Sequence, residues 1–391
     1  MPMADKVEYN RRVALLQERL KIGGIDGALL IYPIDVYYYA ATRQNSALWI
    51  PADGAPRLMV RKSLSRAEAE STVETITAFP SGKDWPEIIG GQFRRIGLTY
   101  DVLPLQQFNF YGKILPNREF VDISALLREL RSVKSTWELK QMRHSGRQLC
   151  AVFAEIPEFL RPGMREIDLS AEFECRARKR GWEGYVRMRA FNQELFQGLA
   201  VAGSSAASPG FFDGAVTGRG LSAAAPHGAS TATIEKNVPI MVDYTGVYDG
   251  YLVDMTRLFV FGALPPRVQE AFEASLAIQE ELVTALVPGA ICSDLFTRAV
   301  EMAAAAGFGD NFMGVPGEQA KFVGHGVGLE LDEMPVLALG FNVPLVENQT
   351  IAIEPKFVFP GVGVAGIENT FAVGEKGGEK LTPLPDLLVR L

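Results

Sequence analysis

The feature that most limits the fold of this chain is an internal duplication. Residues 160–182 align without gaps on residues 286–308, and seven of the 23 aligned positions are identical. Both segments consist of a Pro-Gly turn, an amphipathic helix and a glycine, and extended apolar segments follow each of them. A repeat of this size predicts two similar halves packed against each other. The alternative is a coincidental match between two examples of the common Pro-Gly helix start.

The part of the chain before the duplication predicts a smaller α/β domain. We expect a helix over residues 7–22, followed in "DGALLIYPIDVYYYA" by a buried strand, a turn and more extended chain. Two strands are expected on either side of a turn at Asp53-Gly54, and another strand in "RRIGLTYDVLP". This domain is predicted to end near Arg131.

A long helix is predicted to open the second domain. Ser135 and Glu138 form a capping box, in which each side chain bonds a backbone amide of the first turn. We therefore place the domains at residues 1–133 and 134–391. Between the two copies of the duplication, "GSSAASPGFFDGAVTGRGLSAAAPHGAS" is rich in small residues and predicts a long loop that borders a site.

Composition excludes several classes of protein. The net charge of −7 argues against a nucleic-acid binder, which would carry a basic face. The first residues are charged and contain no apolar signal core, and no run of about 18 apolar residues predicts a membrane span. The cysteines are scattered at Cys150, Cys175 and Cys292, without a metal-type spacing. These features predict a cytoplasmic protein with reduced thiols.

A β-hairpin is predicted in "VPIMVDYTGVYDGYLVDMTRLFVFG". Asp249-Gly250 lies between two extended, aromatic-rich segments and favours a two-residue hairpin turn. That turn places Asp243 opposite Thr256 and puts Asp254 on the same face, about 7–8 Å from Asp243 along the diagonal. Two carboxylates so close on an apolar sheet would repel each other unless a positive charge lay between them.

A second pair of acids occurs near the end of the chain. Glu354 and Glu368 share a face if the segment between them folds back around Gly361. Both lie in apolar surroundings, where an uncompensated charge is costly. His325, in "GHGVGLELDEMP", lies between the two acid pairs in sequence, and the glycines beside it would let the backbone approach closely. Four carboxylates and one imidazole suit two divalent cations that share bridging carboxylates. For any one of these acids alone, a solvated strand residue is the simpler interpretation.

These residues closely resemble the motifs of the creatinase / Xaa-Pro aminopeptidase family, a metallopeptidase family of M24 type that includes prolidase and methionine aminopeptidase. Asp243 and Asp254 resemble the first metal motif, and "GHGVGLE" resembles the histidine motif. "IEP" and "GIENT" resemble the two glutamate motifs, and Pro226-His227-Gly228 resembles a substrate-facing histidine. The linker "LRSVKSTWELKQMRHSG" extends the resemblance over nearly the whole chain.

The resemblance implies an α+β fold. A duplicated "pita-bread" domain with a curved antiparallel sheet would follow a smaller creatinase-type α/β domain. It also implies two divalent metal ions, with Mn²⁺ expected first and Co²⁺, Zn²⁺ or Fe²⁺ as alternatives. The implied metal ligands are Asp243, Asp254, His325, Glu354 and Glu368. Asp243, Asp254 and Glu368 would bridge the two ions, whereas His325 and Glu354 would complete one site.

The resemblance also assigns catalytic roles. Glu354 would accept the proton of the attacking water, and His227 would assist at the substrate's carbonyl or leaving nitrogen. The implied activity is that of a dinuclear-metal-dependent amide hydrolase, an Xaa-Pro aminopeptidase or dipeptidase acting on short peptides. A homodimer is expected, with no nucleic-acid or membrane partner. Alternatives are hydrolysis or lyase chemistry on a small non-peptide substrate at the same centre, and a non-catalytic binding homologue.

Three positions near the predicted site depart from the family pattern. Asp332 stands where prolyl peptidases carry a second histidine, Lys321 replaces a further histidine, and Gly366 replaces an arginine. These departures predict an altered substrate shell around an intact set of metal ligands. We also expect Lys321 and Asp332 to form an ion pair that orients the loop carrying His325.

Overall fold

The computed structural model describes residues 5–189 and 197–391. By their internal contacts the described residues form two compact units. The first comprises the described residues up to Arg131, together with Arg189, and the second comprises Ser132–Met188 and the described residues from Gln197 onward. No helix among the described residues combines the length and apolar character needed to cross a membrane.

The first unit is a mixed α/β domain. Its helices are α1 (Lys6–Ile22), α2 (Pro33–Ala40), α3 (Leu64–Glu70), α4 (Trp85–Ile89), α5 (Leu105–Ile114) and α6 (Ser124–Ser132). Its strands are β1 (Gly27–Leu30), β2 (Ser46–Pro51), β3 (Arg57–Val60), β4 (Thr75–Ala78), β5 (Arg95–Leu98) and β6 (Glu119–Asp122). They form one sheet in the order β4-β3-β2-β1-β5-β6, in which β1–β2 and β2–β3 are antiparallel and the other pairs are parallel.

One prediction for this unit was wrong. The chain after β1 was expected to be extended, but Pro33–Ala40 forms helix α2. Pro33 occupies the first turn of that helix, where its fixed φ suits the helix and its missing N–H costs nothing. A short, continuous run of apolar and aromatic residues carries no periodicity that separates a buried strand from a buried helix.

The second unit contains the duplicated segment. Its helices are α7 (Thr136–Phe159), α8 (Glu166–Lys179), α9 (Gly203–Ala206), α10 (Pro266–Thr284) and α11 (Cys292–Ala305). Its strands are β7 (Gly198–Ala202), β8 (Ile240–Tyr248), β9 (Tyr251–Val260), β10 (Phe322–Gly326), β11 (Glu333–Ala338), β12 (Thr350–Ile353), β13 (Lys356–Phe359), β14 (Gly363–Gly366), β15 (Asn369–Ala372), β16 (Glu379–Lys380) and β17 (Val389–Arg390).

The structure confirms the duplication as two equivalent helix pairs. Helix α8 follows α7, and helix α11 follows α10. Helices α8 and α11 begin and end at residues that the sequence alignment pairs with each other. The predicted capping box at the start of α7 is present, with Ser135 accepting from the Glu138 amide and Glu138 accepting from the Ser135 amide.

The second unit contains two larger sheets. Strands β17-β9-β8-β7 form one sheet, and β11-β10-β12-β15-β16 form another. The loop predicted over residues 203–230 begins with the short helix α9, and its remaining residues belong to the loop of residues 207–239 before β8. The two sheets meet where Thr256 of β9 exchanges backbone hydrogen bonds with Glu368, just before β15. This junction determines where the predicted metal ligands lie.

Candidate metal centre

The first two acids lie on the β8–β9 hairpin in the predicted register. Asp243 pairs with Thr256, and Tyr248 pairs with Tyr251 across the turn. Asp249 and Gly250 both have positive φ, at 50° and 86°, as the tight two-residue turn requires. Asp254 is buried, and its backbone N–H donates to Thr370 Oγ1 of β15 at 2.8 Å. The turn chemistry therefore places both carboxylates at the junction of the sheets.

The two glutamates approach each other through a second hairpin. Strands β13 and β14 pair around Gly361, and β12 pairs with β15 in the same register. Glu354 and Glu368 lie between these two sections, at positions that face each other in that register. Glu368 is 1% exposed and accepts a hydrogen bond from Thr256 Oγ1 at 2.9 Å. The predicted fold-back around Gly361 is thus present and joins the glutamates to the β9 aspartate.

His325 lies on β10, between β11 and β12. Its Nε2 is 3.7 Å from Glu354 Oε1 and 3.8 Å from Glu368 Oε1. On the other side of the ring, Nδ1 lies 3.0 Å from the carbonyl oxygen of Leu331. Because a carbonyl only accepts, a neutral ring carries its proton on Nδ1 and presents the lone pair of Nε2 to the carboxylates.

Asp254, His325 and Glu368 fit a divalent cation. One ligand atom from each of these buried residues lies within 4.8 Å of the other two. Among the described residues no hydrogen-bond partner reaches the buried Glu368 Oε1, although buried polar atoms are nearly always paired. Carboxylate oxygen and imidazole nitrogen are suitable ligands for first-row divalent metals. This group therefore has both the donors and an unsatisfied oxygen directed at a metal position.

Lys356 lies among the remaining acids, and sequence analysis did not identify it. Its Nζ donates to Asp243 Oδ2 at 2.7 Å and to Glu354 Oε2 and Glu368 Oε2, each at 2.8 Å. The side chain is 3% exposed. Lys356 is two residues after Glu354 in extended chain, where side chains two apart point to the same face. This alternation is the sequence feature that could have placed Lys356 on the same face as Glu354.

Lys356 and His325 give the two glutamates different pKa values. Burial raises the pKa of Glu354 to about 7, although the Lys356 charge opposes the shift. Burial would also raise the pKa of Glu368, but Lys356 and His325 outweigh it and lower that pKa to about 2. Burial alone would lower the pKa of Lys356, yet its three carboxylate partners hold it well above the usual value. Glu368 is therefore a stable carboxylate, whereas Glu354 is able to exchange a proton near neutral pH.

A cavity of about 70 Å³ opens onto these residues. Since each enclosed water needs roughly 10–15 Å³ of such volume, it has room for an ion and a few waters. The cavity is lined by the acids, by Lys356 and His325, and by His227 and Phe212 of the long loop. The His227 ring packs against Phe212 with their centroids 5.6 Å apart, and burial lowers the pKa of His227.

The two residues predicted to form the substrate shell differ in position. Asp332 lines the cavity, and its Oδ1 is 3.5 Å from His325 Nδ1. Lys321 is exposed and is not among the residues lining the cavity. Within the described part of the chain Asp332 pairs with His325, and the expected ion pair with Lys321 is not formed. Lys321 lies at an exposed position just before β10, whereas Asp332 lies in the turn after that strand, beside His325.

Asp332→Asn should weaken metal binding about tenfold, because carboxylates that orient a ligating histidine contribute this much to affinity. The Leu331 carbonyl still holds Nδ1 in the variant, which limits the loss. Competition with a fluorescent chelator measures the change. Asp310→Asn, at an exposed site, is the matched control. Unchanged metal affinity in Asp332→Asn would show that the carbonyl alone orients the ring.

Comparison with known proteins covers nearly the whole chain. The profile described as Metallopeptidase family M24 matches residues 140–375, and that of the Creatinase/Prolidase N-terminal domain matches residues 12–133. An Xaa-Pro dipeptidase of Pyrococcus furiosus is 26% identical over 379 residues, which is 95% of this chain and 97% of the relative. A solved Xaa-Pro dipeptidase of Bacillus anthracis has a TM-score of 0.84 at 24% identity and covers 98% of this chain and 100% of its own. The X-Pro aminopeptidase of Thermotoga maritima has a TM-score of 0.81 at 22% identity, with coverages of 97% and 99%.

Proposed function

The chain belongs to metallopeptidase family M24, and from that premise we propose that it is a metal-dependent peptidase that cleaves the bond between an amino-terminal residue and a following proline in short peptides. The curated relative from Pyrococcus furiosus, which matches along almost its full length, is an Xaa-Pro dipeptidase. The observation that carries the proposal is the convergence of Asp254, His325 and Glu368 on one metal position at the edge of a small cavity.

The residues around the cavity have different proposed roles in binding the cation and transferring protons. Asp254, His325 and Glu368 would hold a divalent cation, which when bound polarises a carbonyl and lowers the pKa of a water. Glu354 presents Oε1 on the His325 side, since Lys356 engages its Oε2. From that position Glu354 takes a proton from the attacking water and returns it to the leaving nitrogen.

His227, on the long loop, also lines the cavity. Burial keeps its ring neutral at physiological pH by lowering its pKa. A neutral imidazole donates one hydrogen bond, and we assign that bond to the carbonyl oxygen of the substrate. Asp332, beside His325, is assigned to orienting that ring rather than to contacting substrate.

The remaining proposals concern the metal, the cell compartment and assembly. We favour Mn²⁺ over Co²⁺, Zn²⁺ or Fe²⁺ because the site is rich in carboxylate oxygens, which suit Mn²⁺. All the cysteines are free thiols, which supports a cytoplasmic location. A homodimer is proposed by analogy with the family, and sedimentation analysis of the purified chain tests it.

A dipeptide panel tests the proposed activity. The purified chain, supplied in turn with Mn²⁺, Co²⁺, Zn²⁺ and Fe²⁺, should hydrolyse Ala-Pro and Leu-Pro but not Ala-Ala or Leu-Gly. Release of free proline is the measurement. A chain that binds metal yet cleaves none of these peptides would exclude the prolyl peptidase assignment and direct the search to small non-peptide C–N bonds.

A further inference from the structure

Lys356 holds a cation in the centre of the acidic cluster. An ammonium group has three donors, and all three of those on Lys356 are used, on Asp243, Glu354 and Glu368. Asp243 and Glu354 were both expected to bind metal. Here the same oxygens that would face one of the two ions face Nζ at 2.7–2.8 Å.

An ion and the ammonium group cannot share these oxygens. Small divalent metal ions such as Zn²⁺ bind carboxylate oxygens at roughly 2.0–2.2 Å. An ion at that distance from Asp243 Oδ2, Glu354 Oε2 and Glu368 Oε2 would have to lie within the volume that Nζ fills. The cluster of donors therefore accommodates the ammonium group at this position and not a second metal.

Glu368 lies between the ammonium group of Lys356 and the metal position at Asp254 and His325. Its Oε2 accepts from Lys356, whereas its buried Oε1 lies 3.8 Å from His325 Nε2 and has no hydrogen-bond partner within the described parts of the chain. Asp254 belongs to the same group of candidate ligands. One carboxylate thus bridges two cation positions, with the ammonium at one of them. The bridging geometry predicted for two metals is retained, but one of the positive charges belongs to the chain.

The backbone opposite Lys356 is shaped to admit its side chain. Gly366 pairs with Lys356 across β13 and β14. A Cβ atom added at Gly366 would lie 2.6 Å from Lys356 Cγ and 2.9 Å from the backbone oxygen of Pro355. Any other residue at 366 would displace the lysine stem or the strand. Gly366 and Lys356 therefore form a matched pair, and the departure from the family pattern at 366 has a physical reason.

We propose that the ammonium group of Lys356 takes the place of one divalent cation, so that the centre binds a single metal ion, at Asp254, His325 and Glu368. This inference rests on the proposed metal centre but not on the identity of the substrate. The lysine supplies a fixed positive charge that neutralises Asp243 and positions Glu354. The centre then depends on one ion from solution instead of two.

Metal stoichiometry tests the inference. The purified chain is stripped with a chelator, reloaded with excess Mn²⁺, desalted and analysed by mass spectrometry for metal per chain. We expect one Mn²⁺ per chain and the electron paramagnetic resonance spectrum of an isolated ion. Lys356→Ala, which removes the charge and opens the position, should bind a second ion and show the spectrum of an exchange-coupled pair. Lys321→Ala, at an exposed lysine outside the cavity lining, should bind one.

The wild-type measurement decides the matter even if Lys356→Ala does not fold. Two tightly bound ions with exchange coupling in the wild type would overturn the inference and leave the peptidase assignment intact. No bound ion would overturn both the inference and the proposed metal centre. One bound ion supports the inference whether or not the dipeptide panel is cleaved, so failure of the substrate assignment is recognised separately.

Discussion

Glu368→Gln should abolish metal binding and lower kcat/KM for peptide hydrolysis by about 10³-fold or more. Glutamine keeps the shape of the side chain but removes its charge. Its single oxygen is expected to accept from Lys356 Nζ, 2.8 Å from Oε2 in the wild type, which turns an NH2 group that cannot bind a cation toward Asp254 and His325. A bound metal contributes several kcal/mol to stabilising the transition state, and each tenfold change in rate corresponds to about 1.4 kcal/mol. Metal analysis and steady-state kinetics measure the two effects.

The wild-type chain stripped of metal is the reference for this variant. If Glu368 acts by holding the ion, Glu368→Gln should be no more active than the stripped wild type, and added Mn²⁺ should restore only the latter. Glu375→Gln, a few residues further along at an exposed position, should keep full metal content and activity. A Glu368→Gln chain that still bound metal with wild-type affinity would remove Glu368 from the site.

The sequence was sufficient to predict the placement of the acids because strand geometry is strict. A two-residue turn at Asp249-Gly250 allows one register, and that register brings Asp243 opposite Thr256. Folding around Gly361 brings Glu354 and Glu368 together by the same rule. The duplication likewise predicted helices α8 and α11, since equivalent sequences form equivalent helices, whereas helix α10 was not predicted.

The residues that sequence analysis missed depend on contacts between elements. Lys356 follows Glu354 on the same face, but strand parity does not show which partners a lysine will reach across the junction of two sheets. A lysine on a strand is usually solvated, and a buried one is recognised only when its carboxylate partners are placed around it. The helix Pro33–Ala40 was missed for a different reason, because its apolar residues follow no period.

Contacts in the structure relate two of the three departures from the family pattern to the proposed metal centre. Gly366 lies against Lys356, and the absent Cβ at 366 makes room for the lysine stem. Asp332 supports His325 from the opposite side of its ring. Taken separately these positions suggested an altered substrate shell, whereas in the structure Gly366 and Asp332 lie next to the proposed metal ligands and Lys321 is exposed. We therefore expect the first two departures to affect the proposed metal centre before they affect the substrate.

Glu333→Ala should lower the free energy of unfolding by about 3–5 kcal/mol, the usual cost of breaking a buried ion pair by removing one partner. Glu333 Oε2 accepts from Lys134 Nζ at 2.8 Å, and the Lys134 side chain is 1% exposed. Its Oε1 accepts from the backbone amides of Leu329 and Glu330, at 2.9 and 3.2 Å. The variant loses the ion pair and the anchor of the turn between β10 and β11.

This turn carries both groups that orient His325, so the loss of stability should be accompanied by weaker metal binding. At about 2–4 °C per kcal/mol for a unit of this size, the melting temperature should fall by roughly 6–20 °C. Thermal unfolding is followed by circular dichroism with a chelator present. The measured fall in melting temperature then reports the loss of stability of the protein without bound metal. Glu318→Ala, at an exposed position before β10, is the matched control and should melt within about 2 °C of the wild type. Glu333→Gln retains an acceptor for the amides but not the charge facing Lys134, so its melting temperature should lie between those of the wild type and Glu333→Ala. If Glu333→Gln melted at the same temperature as Glu333→Ala, the ion pair rather than the turn would account for the whole effect.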